Sequence, residues 1–391
     1  MRVRAPIRTI IHAMRTRRPF DLARLRKRKE FSGRHVVVAG IYRSATGIGK
    51  AAELVARTLE ERGSIVSRVD LTVALEMVAT RDADPFPEPK DCGSIDATDC
   101  VVVLNADHAF ALSLFDRKWL LGRCIVGHWI WELERVPKKW QSMAAAYDEI
   151  WAPTEFVLES IRNALPGFNG ATRLLPYAAL SDPPPKPTAG ERQSVRSRLG
   201  IAPTTRVIGY SFAAASNYQR KNPEAAIDAF EAAFPDDDAS AVLILRCHDL
   251  EYFPAQRASL LARIGASPRI RLFAHDNRLP INDFYAAIDI YLSTSRAEGY
   301  GLNLVEAAQA GIPVVTTGWR LASEIGALPL VHTVDYDLIP VVDQQSHYAN
   351  IPGARWAEPR RDEVVAQIRA LCASLEARPI GSQPKQAAKE S

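Results

Sequence analysis

One stretch limits what this chain can fold into more than any other. Ile288-Asp289-Ile290-Tyr291-Leu292 is a short apolar run that reads as a buried strand. A turn carrying Gly299 and Gly301 follows it. Leu302, Val305, Ala308 and Gln309 then begin a helical period, which Gly311 ends. Ile312 to Thr317 reads as the next strand. The order is strand, glycine-bearing turn, short helix and strand: one βαβ unit. Glu298 falls in the turn and Glu306 in the helix.

The same alternation runs through the rest of the chain. Strands are expected at His35–Gly40, Ser64–Asp70, Asp99–Asn105, Ile125–Trp129 and Thr172–Tyr177. A second set is expected at Arg206–Phe212, Ala241–Arg246 and Ile270–Phe273. Helices are expected at Ala51–Arg62, Glu224–Phe234, Asn282–Ile288 and Asp362–Ala377. Strands alternating with helices point to doubly wound α/β sheets. Ser181 to Gly190 holds four prolines in five residues (183–187) and reads as a stiff linker. At 391 residues the chain is long for one core and suits two domains. The division is a basic tail over 1–32, a first doubly wound domain over 33–180 and a Pro-rich linker over 181–203. A second domain over 204–358, a final helix over 359–378 and a disordered tail over 379–391 complete it. The region from Val334 to Val342 reads as irregular.

The central unit suggests recognition of a nucleotide diphosphate sugar. Gly299 and Gly301 let backbone come close to a ligand. The N–H groups of Leu302, Asn303 and Leu304 point out of a helix N-terminus, where an anion is favoured. The carboxylates of Glu298 and Glu306 accept only, which suits sugar hydroxyls. Arg220 and Lys221 are adjacent cations at a helix start, and a departing diphosphate needs positive charge. His128-Trp129-Ile130-Trp131-Glu132 follows a strand end, where ligands sit in open α/β sheets. Trp129 and Trp131 offer flat faces to a sugar ring or, alternatively, form a packed aromatic corner. Gly47 and Gly49 serve either a substrate-facing loop or a tight βα turn. His248 and His275 follow strands and are further candidates for a nucleotide pocket.

Ser295-Arg296-Ala297-Glu298-Gly299-Tyr300-Gly301-Leu302-Asn303-Leu304-Val305-Glu306-Ala307 resembles the E-x7-E signature of retaining glycosyltransferases of family 4, which have the GT-B fold. The likeness continues through Ala310-Gly311-Ile312-Pro313-Val314-Val315, and Tyr147 to Phe156 resembles a second element of that family. The resemblance implies two Rossmann-like domains facing a central cleft, with the C-terminal helix returning across the first. It places Glu298 on the donor sugar, Glu306 on the ribose, and Lys221, with Arg220 beside it, on phosphate. Gly299, Tyr300, Gly301, Leu302 and Asn303 complete that donor site. It sets His128 near the donor sugar, as a group helping to stabilise developing charge. Gly47, Gly49, Trp129 and Trp131 fall on the cleft or acceptor side. Family members carry Gly after the Lys, whereas this chain has Asn222-Pro223. The implied reaction is transfer with retained configuration by a same-face route, from a nucleotide diphosphate sugar to a glycan or lipid-linked acceptor in cell-surface polysaccharide synthesis. No cofactor and no metal are expected. A nucleotide-sugar epimerase of the same fold and a non-catalytic membrane-associated scaffold are the alternatives.

Composition narrows the setting. Residues 1–30 carry eleven Arg or Lys and two acids, a net of +9, so the total of +4 leaves −5 for the rest. Ile7, Ile10, Ile11 and Met14 fall on one helical face among those charges, and such a helix can lie on an anionic membrane. No recognition motif supports nucleic acid as a partner. No apolar run approaches the roughly 20 residues that span a bilayer. Five scattered cysteines argue for a reducing compartment and against a disulfide framework or zinc site. The expected location is cytoplasmic, with a peripheral seat on the inner face of the membrane through the basic tail.

Overall fold

The computed structural model describes residues 27–44, 46–77, 86–177, 183–235, 240–274, 277–348 and 351–376. The expectation for a membrane-bound helix over residues 7–14, the tail 379–391 and His275 lie outside them.

The first sheet comprises β1 (His35–Gly40), β2 (Ile65–Asp70), β3 (Asp99–Val102), β4 (Cys124–His128), β5 (Glu149–Ala152) and β6 (Ala171–Leu174), in the order β2-β1-β3-β4-β5-β6. The second comprises β7 (Arg206–Ala213), β8 (Ala241–His248), β9 (Ile270–Phe273), β10 (Ile290–Ser293), β11 (Val314–Thr317) and β12 (Val331–Val334). Its order is β12-β11-β10-β7-β8-β9. Every pairing within each sheet is parallel. Central strands such as Val36-Val37-Val38-Ala39 are buried on both faces, which is why they are continuous apolar runs without alternation. This is the α/β, GT-B architecture of two Rossmann-like sheets. The strand order reverses between β1 and β3 in one sheet and between β7 and β10 in the other. Ligands of such sheets lie outside the strand carboxyl ends at that reversal.

Local chemistry places the helices. Helix α1 (Gly47–Glu61) starts at Thr46, whose hydroxyl accepts from Gly49 N at 3.2 Å. Helix α2 (Glu155–Ala164) is capped in the same way by Thr154, as expected. Helix α3 (Ala189–Arg198) falls inside the stretch expected as linker. Thr188 and Glu191 form a reciprocal capping box that starts it directly after the prolines. Arg192 and Arg196 of α3 grip Asp289 at 2.6 and 2.7 Å, so α3 is docked on the second sheet. Helix α4 (Pro223–Ala233) follows β7, and α5 (Leu302–Gln309) follows β10.

Three further expectations need correction. The stretch from Val334 is not irregular: β13 (Tyr336–Pro340) and β14 (Arg355–Pro359) pair antiparallel. The end of the basic tail is anchored on the first sheet. Arg28 donates to Asp148 O at 3.2 Å, and the Phe31 ring meets Trp151 edge-on at 4.6 Å. The last helix, α6 (Arg361–Glu376), lies against α4, where Arg369 donates to Ala232 O at 2.8 Å. Its packing is therefore with the second domain.

Asp289 also accepts from Val207 N at 2.8 Å, so one carboxylate joins α3, β7 and the turn before β10. Asp289→Ala leaves two arginines in a nearly buried site without a counter-charge. It is expected to cost about 3 kcal/mol, read as a lower urea midpoint at unchanged slope.

Candidate active site

The two reversal points meet across a cleft. From the second sheet come the loop after β7, with Asn217, Arg220 and Lys221, and the turn after β10, with Glu298. From the first come α1 after β1 and residues 129–136 after β4.

Arg220 and Lys221 lie in a single helical turn, Tyr218–Lys221, bracketed by two left-handed asparagines, Asn217 (φ 68°) and Asn222 (φ 51°). Asparagine tolerates this region better than other non-glycine residues. Asn222 therefore takes the bend between this turn and α4. Asn217 Oδ1 accepts from Arg220 N at 2.9 Å, which fixes the turn and the direction of both cations. Arg220 and Lys221 are both buried.

These cations hold Glu298. Lys221 Nζ lies 2.5 Å from Glu298 Oε1 and Arg220 Nη1 3.4 Å from Oε2. Burial alone raises the pKa of Glu298, but the two cations outweigh it and bring the carboxyl down to about 2. Burial pushes Lys221 below its ordinary range while Glu298 opposes that shift. Eight residues on, Glu306 is 8% exposed on α5. One of its oxygens accepts from the Tyr285 hydroxyl at 3.0 Å, and the other is paired with Lys50.

The glycines between the two acids have specific work. Gly301 has φ 98° at the start of α5, a conformation that glycine adopts without strain. At Gly299, a Cβ would fall 2.6 Å from Ile130 Cγ2 and 3.1 Å from Trp131 O. The space on the side-chain side of Gly299 is thus taken by Ile130 and Trp131 of the first domain. Thr154 Oγ1 also donates to Gly299 O at 3.4 Å. Tyr300 lays its ring 4.6 Å from that of Tyr177. The Asn303 amide donates to Ser211 O at 3.0 Å. Leu304 N donates to Gly301 O at 3.0 Å, so it is not among the free donors at this helix end, while Leu302 is partly buried beside it.

The first-domain candidates divide. His128 ends β4, fully buried, with its ring stacked 5.6 Å from Tyr177. Neither ring nitrogen has a partner among the described residues. Burial depresses its pKa to about 3, so the imidazole is neutral. Trp129 and Trp131 do not present faces to the cleft. Trp129 is fully buried against Trp140 and Tyr147, with ring centroids 5.2 and 5.7 Å away. Trp131 lies between Trp140 and Tyr348, at 4.9 and 5.5 Å, and donates its indole N–H to Arg135 O. The packed aromatic corner is the arrangement found. Gly47 and Gly49 lie in the first turn of α1 rather than in a loop. A Cβ at Gly49 would fall 2.3 Å from Ser44 O, so this glycine serves the tight turn. His248 lines a small recess with Arg246, Phe273 and Arg278 at the carboxyl end of β8.

The structure adds residues to the site. Glu132 approaches Arg220 Nη2 at 3.5 Å and accepts from the Tyr348 hydroxyl at 3.4 Å. Tyr348 comes from the loop of the β13–β14 hairpin, and no pattern in the sequence marks it. Lys50 carried a faint signal: a cation in a first helical turn faces an unfavourable dipole. Among the described residues, no group of three or more His, Cys, Asp or Glu is placed to hold a metal ion. Among the same residues, no helix is long and apolar enough to cross a membrane.

Comparison with known proteins agrees with this layout. Residues 207–333 match the sequence model of the family described as glycosyl transferases group 1. The lipopolysaccharide core biosynthesis mannosyltransferase LpsB of Rhizobium meliloti (strain 1021) is 26% identical over 137 residues, 34% of this chain. That match spans 38% of the relative's length. Among solved structures, HepE of Anabaena in complex with UDP and glucose superposes with a TM-score of 0.57 at 15% identity, covering 88% of this chain and 91% of that one. WaaG, a glycosyltransferase involved in lipopolysaccharide biosynthesis, gives 0.53 at 14%, covering 87% and 90%. Sucrose-phosphate synthase from Thermosynechococcus elongatus gives 0.56 at 13%, covering 87% and 90%. At these identities the structural likeness concerns the fold.

The buried, neutral His128 sets a pH dependence. In the unfolded chain it takes up a proton near pH 6.5, and in the folded chain only near 3. Its share of stability is present above about 6.5 and falls by about 1.4 kcal/mol per pH unit on acidification towards 3. His128→Phe is expected to lessen the fall in melting temperature between pH 7.5 and 5, measured side by side with the wild type.

Proposed function

We propose that this protein is a glycosyltransferase. It moves a sugar from a nucleotide diphosphate donor, with retained configuration, to a glycan or lipid-linked acceptor in cell-surface polysaccharide synthesis. The observation that carries the reading is the disposition of Glu298 and Glu306. They stand in the turn and the helix of one βαβ unit, with Lys221 and Arg220 on the first and an acceptor-only carboxylate at the second. The family match over residues 207–333 covers this whole unit. The name of the rhizobial relative supports a role in surface polysaccharide, and the UDP and glucose bound to HepE support a nucleotide sugar donor.

In this reading Glu306 accepts from the ribose hydroxyls. Arg220 and Lys221 take the charge that grows on the diphosphate as the glycosidic bond breaks, a task that oriented cations in a water-poor site perform well. These cations make a metal unnecessary. Glu298 orients the donor sugar and keeps the two cations in place until the phosphates arrive. His128, neutral and without a partner among the described residues, can donate to or accept from a sugar hydroxyl, but it does not supply a positive charge near neutral pH. The leaving phosphate helps the acceptor hydroxyl lose its proton, on the same face as attack. The acceptor meets the first-domain wall around Glu132, and the protein works on the cytoplasmic side, with its basic N-terminal segment against the membrane.

Thermal unfolding with excess UDP, GDP, ADP or NAD tests the donor site. A ligand at about 100 times its dissociation constant adds roughly 2.7 kcal/mol, a shift of several degrees. One nucleoside diphosphate is expected to give that shift in the wild type and to lose it in Glu306→Ala. No shift with any of the diphosphates, or a shift with NAD alone, would sink the transferase reading.

A further inference from the structure

Each oxygen of Glu306 already has a partner before any nucleotide arrives. Tyr285 donates to one oxygen, and the ammonium of Lys50 holds the other. Lys50 belongs to the opposite domain, as the fourth residue of α1, so this ion pair crosses the cleft. Glu306 is nearly buried and the Lys50 ammonium covers the oxygen that Tyr285 leaves, so a ribose diol that reaches this carboxylate must move Lys50 aside.

The position of Lys50 is a poor one for α1 itself. Positive charge in the first turn opposes the helix dipole, and α1 has no acid in that turn to offset it. What compensates the lysine is Glu306, on the other side of the cleft. The pair is also built for exchange. The Lys50 side chain is 32% exposed, whereas Glu306 retains 11%. A lysine is a point charge on a flexible four-carbon stem, and its three donors turn freely to a new acceptor. Once displaced, the ammonium stands in the cleft beside the ligand that displaced it. A half-buried cation without a partner is costly, and the diphosphate is the anion that the same ligand brings.

We propose that Lys50 is a further donor-binding residue. It neutralises Glu306 in the empty cleft, yields that carboxylate to the ribose and passes to the diphosphate. This inference rests on the donor reading above. Arg220 and Lys221 then hold the phosphates from the second domain and Lys50 holds them from the first. The nucleoside alone pays for displacing Lys50 and gets nothing back, while the diphosphate recovers the contact.

Titration calorimetry of the full chain separates the two halves of the exchange. The ligands are UDP, GDP and ADP, with uridine, guanosine and adenosine read by competition against whichever diphosphate binds. The proteins are the wild type, Lys50→Ala and Lys50→Met; the second variant keeps most of the apolar stem, and circular dichroism checks the fold of each. Both variants are expected to bind the matching nucleoside up to about fivefold tighter, the range of a partly exposed ion pair. The affinity gained by adding the diphosphate is expected to shrink in both. Nucleoside binding that is unchanged or weaker in the variants, with diphosphate binding to the wild type intact, would overturn the role of Lys50 and leave the donor site standing. Absence of diphosphate binding to the wild type would overturn both.

Discussion

Arg220 is 3% exposed, and a guanidinium at such a site costs several kcal/mol unless its donors are met. Its two terminal nitrogens are met from three directions. Ala297 O and Glu298 lie on the turn after β10, Ser216 O on the loop after β7, and Glu132 on the first domain. One charge thereby fixes the shape of the turn after β10 and ties it to the opposite wall of the cleft. Lys221 and Glu298 complete a set in which each group is paired. Opening the cleft would separate Arg220 from Glu132, and Lys50 from Glu306.

The hairpin β13–β14 reinforces this join. Its loop sends Tyr348 to Glu132 and to the Trp131 ring, while Asp343 accepts from the Asn217 amide at 2.6 Å. The loop therefore touches the cation-bearing turn of one domain and the aromatic corner of the other. Gly299 sits at the same meeting point, with Ile130 and Trp131 where a side chain would be. The turn that bears Glu298 is shaped by its own chain and also by the first domain pressing on it.

Much of the fold was legible in the sequence, because its signals are local. Buried parallel strands show as runs such as Val36-Val37-Val38 and Val314-Val315, and Thr154 caps the helix that starts at the next residue by accepting from Val157 N. Glu298 and Glu306 were legible for the same reason: strand, glycine turn and helix are contiguous, and their spacing survives folding unchanged. Asn222 has φ 51°, a left-handed bend that the Lys221-Asn222-Pro223 sequence by itself does not announce. The helix Ala189–Arg198 was hidden by the prolines before it, although Thr188 and Glu191 marked its start. The hairpin was hidden because Tyr336–Pro340 and Arg355–Pro359 acquire meaning only by pairing with each other.

The sequence by itself determined most strands of the two parallel sheets and the spacing of Glu298 and Glu306 and of Arg220 and Lys221, since each follows from periodicity or short spacing. Tertiary structure alone decided which surfaces are free. Trp129 and Trp131 follow a strand end, as ligand-facing residues do, yet they are packed among Trp140, Tyr147 and Tyr348. His128 is neutral because the chain closes over it. Glu306 is paired because α1, from the other domain, brings Lys50 to it. Burial and charge pairing depend on atoms distant in the chain, and no local pattern of residues can encode them.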